Sequence, residues 1–326
     1  MPRIISWWNK YQIPLYLGAL GVGALIGLVF QTQAPAFDQA INPILMVLLY
    51  ATFLAVPLNR LGRALTDLRF LAGLLVLNFL AVPVVVFVLT RAIADEPAIL
   101  VGVLLVLLAP CIDYVIVFSG LAGSANEKLL AASPLLMLLQ MLLIPVYIRL
   151  IMGPEILNSI DVGSFIRAFM LLIVVPLAAA LLTQILAQRF GWARRVMTLM
   201  EAMMVPVMML TLAVVVASQI AAVSGQVGMM LQVIPLFAIF MALMATLGKL
   251  AGKIFNQDVP ATRALIFSGA TRNSLVVLPL ALALPAELSI AAIVVVSQTL
   301  VELVGMIIFV RAVPKFVPES VPASQK

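Results

Sequence analysis

Three charged residues stand inside otherwise apolar stretches of the chain: Asp113, Arg272 and Glu302. The amides Asn78, Gln140, Asn273 and Gln298 occupy comparable surroundings. A charge at the centre of a hydrocarbon layer costs at least about 2.5–3.5 kcal/mol, so each needs a partner or a watery cavity. Residues retained at that cost are candidates for binding and moving a polar solute. Asp113 and Arg272 are opposite in charge, and each falls where an apolar run is interrupted: Leu108-Ala109-Pro110-Cys111-Ile112-Asp113-Tyr114 and Thr271-Arg272-Asn273-Ser274. Pairing would offset part of the desolvation of both. Two readings follow. Either the pair holds two unwound segments together, or Asp113, Arg272 and Asn273 touch substrate directly.

Glu302 lies one helical turn beyond Gln298, so the two share a helix face. With Asn78 and Gln140 they form a candidate ion-coupling set. The carboxylate either carries a proton or joins backbone carbonyls around a hard cation such as sodium, which prefers oxygen ligands. The plainer alternative is a protonated glutamic acid that hydrogen-bonds between helices.

Cys111 is the only cysteine. A lone buried cysteine commonly serves as a small hydrophobe. Here it follows a helix-breaking proline and precedes a carboxylate, and its thiolate would suit a thiophilic element. Asp113 opposes ionisation of the thiol, which argues against an activated nucleophile. A single cysteine excludes an internal disulfide and cysteine-pair zinc or redox motifs. There is no histidine, no His-Glu-x-x-His and no Gly-x-Ser-x-Gly, so an enzyme is not expected and no cofactor is implied. The 17 methionines lack a tight ligand spacing and read as packing residues. Gly18, Gly21, Gly23 and Gly27 read as a surface for close helix contact.

The elements that must position these residues are set by hydropathy. Of 326 residues, 64% are hydrophobic and only 10% charged, with a mean hydropathy of +1.22. Soluble domains carry roughly 25% charged residues, so the composition predicts an all-α polytopic membrane protein. Spans of about 20 apolar residues fall at 13–30, 41–58, 70–90, 98–120, 131–151, 165–186, 203–223, 233–254, 262–284 and 289–310. Pro110 removes a backbone donor inside the fourth and predicts a break there. Most of the 19 basic residues, Arg60, Arg63, Arg69, Arg189, Arg194 and Arg263 among them, fall in loops on one side of this arrangement. Arg91, Arg149 and Arg167 fall on the other. The positive-inside rule then places both termini in the cytoplasm, in a plasma (inner) membrane. The net charge of +6 reflects this asymmetry, and nucleic acid is not an expected partner.

Residues 1–160 and 161–326 each contain five spans, and the fourth and ninth, which correspond, are both interrupted by polar residues. An odd number of spans per half inverts the second relative to the first, and paired interruptions in inverted repeats point to a binding site.

Three stretches carry a resemblance to a known group. Asn78-Phe79-Leu80-Ala81-Val82-Pro83 is similar to an Asn-Trp-Val-Ile-Gly-Pro motif, Cys111-Ile112-Asp113-Tyr114-Val115-Ile116-Val117 resembles Cys-Ile-Ala-Met-Val-Ile-Val, and Leu300-Val301-Glu302 matches a Leu-Val-Glu segment. These belong to the arsenite efflux permease branch of the bile acid/sodium symporter superfamily. The resemblance implies a core of spans 3–5 and 8–10 with broken spans 4 and 9 crossing, and a panel of spans 1, 2, 6 and 7. It also implies export of arsenite or antimonite driven by the proton gradient, with Cys111 as the thiol that contacts arsenic. The chain departs from the branch at Pro110, where the branch has arginine, and at Asp113, where it has alanine. It also lacks the glutamate of an Ala-Ser-Asn-Asn-Phe-Glu stretch, reading Ala270-Thr271-Arg272-Asn273-Ser274-Leu275 instead. The alternative function is a sodium- or proton-coupled transporter of a small organic anion, with Arg272 on the carboxylate. The expected partners are thus a small inorganic or organic solute, a proton or sodium, and the lipid bilayer.

Overall fold

A computed structural model of the protein describes residues 2–55, 67–111, 114–152, 170–224, 227–282 and 284–319. The described residues are helical apart from short turns, with no strand among them. The helices, in order, are α1 (Pro2–Val29), α2 (Ala34–Ala55), α3 (Leu68–Val76), α4 (Val82–Thr90), α5 (Pro97–Leu107), α6 (Tyr114–Leu121), α7 (Asn126–Met152), α8 (Val175–Ala187), α9 (Gly191–Ser224), α10 (Val227–Ile254), α11 (Val259–Ala270), α12 (Ser274–Leu282) and α13 (Ile290–Phe316). Among the described residues, five helical stretches are long and apolar enough to cross a membrane: Leu68–Ile93, Asn126–Met152, Gly191–Ser218, Gln232–Ile254 and Ile290–Phe316. The expected span at 98–120 is divided, because α5 stops before Pro110 and α6 begins only at Tyr114. α5 alone has 11 residues, roughly 16 Å at helical rise, about half a hydrocarbon core. The expected span at 262–284 is divided between α11 and α12 in the same manner.

The chain forms two compact units. One comprises Met1–Val56, Ile160–Met230 and Leu278–Ser289. Within it α1 and α9 approach closely, because a Cβ on Gly23 would collide with the Ala213 backbone and one on Gly27 with that of Ala217. Gly18 and Gly21 face open space instead, so only half of the glycine set makes the helix contact expected of it. Tyr50 and Thr183 share a hydrogen bond of 2.8 Å between α2 and α8.

The other unit comprises Pro57–Ser159, Leu231–Val277 and Ile290–Lys326. Its core is the apolar α5, buried from Ile99 to Leu107, against α13. Gly102 permits that packing, since a Cβ there would lie 2.8 Å from the Ala291 carbonyl. α3 and α4 are joined by a single π turn, Leu77–Ala81, ahead of Pro83. Proline has no N–H to offer, and its ring crowds the carbonyl four residues earlier. That carbonyl belongs to Phe79, and it accepts the Tyr147 hydroxyl of α7 at 2.6 Å. The π turn and the tyrosine together absorb the proline without an orphan acceptor.

Arg263 departs from the sequence expectation. Read as a loop charge, it lies on α11 with only 5% exposure. Its guanidinium donates to the Val317 carbonyl at 3.1 and 3.0 Å and to those of Ala122 and Gly123 at 3.2 and 3.3 Å. It therefore satisfies carbonyls beyond the ends of α13 and α6, where the helix dipole favours a cation.

Candidate functional site

The two interrupted helices meet within the second unit. Pro110 and Arg272 form an antiparallel bridge, flanked by Asn273 N–H donating to the Ala109 carbonyl at 2.7 Å and Cys111 N–H to that of Thr271 at 3.4 Å. In such a bridge the flanking residues supply both hydrogen bonds, and the central pair supplies none. A proline is therefore tolerated at that position. On the other side of the bridge Thr271 is extended, with φ −104° and ψ 142°, and its hydroxyl donates back to the Phe267 carbonyl at 2.8 Å. The β-branched side chain suits this conformation.

Breaking two helices leaves their last carbonyls without intrahelical partners. Arg272, fully buried at 0% exposure, supplies the donors. Its Nη2 donates to the carbonyls of Ser268 at 2.7 Å and Gly269 at 2.6 Å, and to Asn78 Oδ1 at 2.9 Å; Nη1 donates to the Leu107 carbonyl at 3.3 Å. One guanidinium thus spans the C-terminal ends of α5 and α11 and the π turn that carries Asn78. Asn78 is held in register by donating from Nδ2 to Ser268 Oγ at 3.0 Å and to the Leu74 carbonyl at 3.1 Å.

The negative charge comes from α13. Glu302, 0% exposed, accepts the backbone N–H of Arg272 at 2.7 Å on Oε2, and the same oxygen accepts from Gln298 Nε2. The carboxylate lies just before the first turn of α12, where unpaired N–H groups favour an anion. Asn273 completes that end, its Oδ1 accepting the Val276 N–H at 3.3 Å as an N-cap would. Ser274 and Thr299 join α12 to α13 through their hydroxyls at 2.8 Å.

Of the residues singled out from the sequence, Asn78, Cys111, Arg272, Asn273, Gln298 and Glu302 are all buried at this crossing. Cys111 is 2% exposed in the unwound stretch itself. Gln140 is buried on α7 with neither amide atom hydrogen-bonded, so it is not joined to Gln298 or Glu302. Asp113, and with it the expected Asp113–Arg272 pair, lies outside the described residues. Nothing in the sequence singles out Ser268 or the carbonyls of Leu107 and Gly269, which the structure adds to the crossing. Backbone ligands leave no side-chain signature, although Ser268 stands one helical turn before Arg272.

Helices among the described residues that are long and apolar enough to cross a bilayer, and two interrupted helices paired through their unwound residues, define a multi-pass membrane protein with the construction of a secondary transporter. The sequence model of the Sodium Bile acid symporter family matches residues 42–226, more than half of the chain, and the protein belongs to that family of transporters. No curated protein matches the chain. The family match includes Asn78 and Cys111 and ends before Arg272, Gln298 and Glu302.

Proposed function

We propose that the protein is a secondary transporter that exports arsenite or antimonite using the proton gradient. On this reading the helical segments make ten spans in two inverted five-helix repeats, 1–160 and 161–326. The unit containing α3–α7, most of α10, α11 and α13 acts as a core of spans 3–5 and 8–10, the unit containing α1, α2, α8 and α9 acts as a panel of spans 1, 2, 6 and 7, and both termini face the cytoplasm. Cys111, Asp113, Arg272, Asn273 and Asn78 form the substrate region, and Glu302 with Gln298 and Gln140 handles the coupling ion.

The single observation that carries this reading is the place of the one thiol, in the unwound segment where Cys111 N–H meets the Thr271 carbonyl. Arsenous acid is uncharged at neutral pH. A thiol exchanges for one of its hydroxyls, forming an arsenic–sulfur bond and releasing water that carries away the thiol proton. A neutral solute requires no cationic anchor, and the guanidinium of Arg272 is already engaged with carbonyls of its own fold. That engagement counts against a substrate carboxylate on Arg272. The organic-anion reading is favoured instead by the family, whose description names sodium and bile acid.

Proteoliposomes decide between them. Arsenite should accumulate against its gradient when a pH gradient is imposed. Cys111→Ser should abolish accumulation while the protein remains in the bilayer at an equal amount. Unchanged arsenite transport by that variant, or sodium-dependent movement of organic anions alone, would overturn the proposal.

A further inference from the structure

The acceptors around Arg272 are those expected around an alkali-metal cation. Nη2 has Asn78 Oδ1 at 2.9 Å, Ser268 O at 2.7 Å and Gly269 O at 2.6 Å, and Nη1 has Leu107 O at 3.3 Å. All four are uncharged oxygens, the donor class that hard cations take. Three are carbonyls at the C-terminal ends of α5 and α11, where aligned peptide dipoles collect partial negative charge. Half-helix C-termini and unwound carbonyls hold coupling cations in transporters built on broken helices. In this protein the cation among those oxygens belongs to the chain and is 0% exposed.

We propose that Arg272 is a tethered cation occupying the position at the helix crossing where a mobile coupling cation would bind, so that this site carries no sodium through the transport cycle. The inference rests on the transporter reading and is independent of the solute. A sodium ion does not fit beside the guanidinium. It would need the same carbonyls, and two like charges in that interior repel with little screening. Among the described residues, Glu302 on α13 supplies a buried negative charge beside the positive charge of Arg272. The guanidinium also has a role that an ion lacks. It is covalently part of the break, so it cannot leave, and it bonds the ends of α5 and α11 to each other.

The test is thermal unfolding of the purified full-length protein in detergent, in sodium chloride and in choline chloride of equal ionic strength. It reads cation binding without any transported solute, so a protein that moves no arsenite still answers it. The natural protein and Arg272→Lys should unfold at the same temperature in both salts. Arg272→Ser should lose several degrees in choline and regain them saturably with sodium. Sodium stabilisation of the natural protein overturns the proposal, as does a folded Arg272→Ser that ignores sodium. If Arg272→Ser does not fold, Arg272→Lys and the neutral Arg272→Met decide it: equal stability of the two shows that the oxygens do not require a positive charge, which also overturns it.

Discussion

Glu302 Oε2 accepts the backbone N–H of Arg272 at 2.7 Å, tying a carboxylate of α13 to the unwound stretch between α11 and α12. The same oxygen takes Gln298 Nε2, so two donors converge on one acceptor. Glu302→Gln keeps an acceptor but removes the charge, and charge-assisted bonds are about twice as strong as neutral ones. We expect a loss of about 1–3 kcal/mol. Glu302→Leu strands both donors and leaves the Arg272 charge without its balance, at a cost nearer 3–5 kcal/mol. Unfolding in detergent should rank the natural protein above the glutamine variant and that above the leucine variant. Equal losses in both variants would show that the acceptor contributes nothing once the charge is gone.

Tyr147 and Pro83 are coupled through the Phe79 carbonyl, although they do not bond each other. Tyr147→Phe removes a hydroxyl donor from that part-buried oxygen and should cost about 1 kcal/mol. Pro83→Ala supplies a backbone N–H able to reach it. In the double variant the tyrosine substitution should therefore cost less than it does alone. Additive losses in the four-variant cycle would disprove the coupling.

Gly23 and Gly18 differ in surroundings though both lie on α1. Gly23→Ala drives a methyl into the Ala213 backbone and should cost about 1–3 kcal/mol by separating α1 from α9. Gly18→Ala meets no atom within 4 Å and should be neutral, or stabilising by up to about 1 kcal/mol from helix propensity. Unfolding temperatures of the two variants should move in opposite directions or, at the least, differ clearly.

Asp67 caps α3 by accepting the Phe70 N–H at 3.1 Å and pairs with Lys128 at 2.7 Å. The Lys128 hydrogen bond, ahead of all other influences, holds its carboxyl below the ordinary aspartate value. A depressed pKa stabilises the fold above the unfolded value, near 3.9, and the contribution disappears as pH falls through the folded value below that. Both side chains are more than a third exposed, so screening limits the pair to at most about 1 kcal/mol. Asp67→Asn retains a competent cap and loses the ion pair. It should be less stable than the natural protein at pH 6, and the difference should vanish as pH falls through and below the lowered folded value. A stability difference that persists unchanged in acid would rule out the ion pair as its source.

Much of the site was legible in sequence because strongly polar side chains are conspicuous in an apolar chain. Asn78, Arg272, Gln298 and Glu302 could be picked out on the cost of burying them, and Pro110 marked a break because it lacks a donor. The apolar runs of spanning length coincide with helix in each of the expected segments within the described residues. The burial of Arg263 is hidden for a related reason. A basic residue near a helix start looks like a loop charge, and nothing local shows that the carbonyls of Ala122, Gly123 and Val317 converge on it.

The sequence by itself determined that the chain is a helical membrane protein with two interrupted helices, because hydropathy and proline chemistry act locally. Only the tertiary structure decided what the buried charges do. Arg272 is ligated by main-chain oxygens from residues as distant as Leu107, and any residue type offers such oxygens. Which carbonyls are left without partners depends on where two helices end in space, and that is settled only when the unwound segments meet.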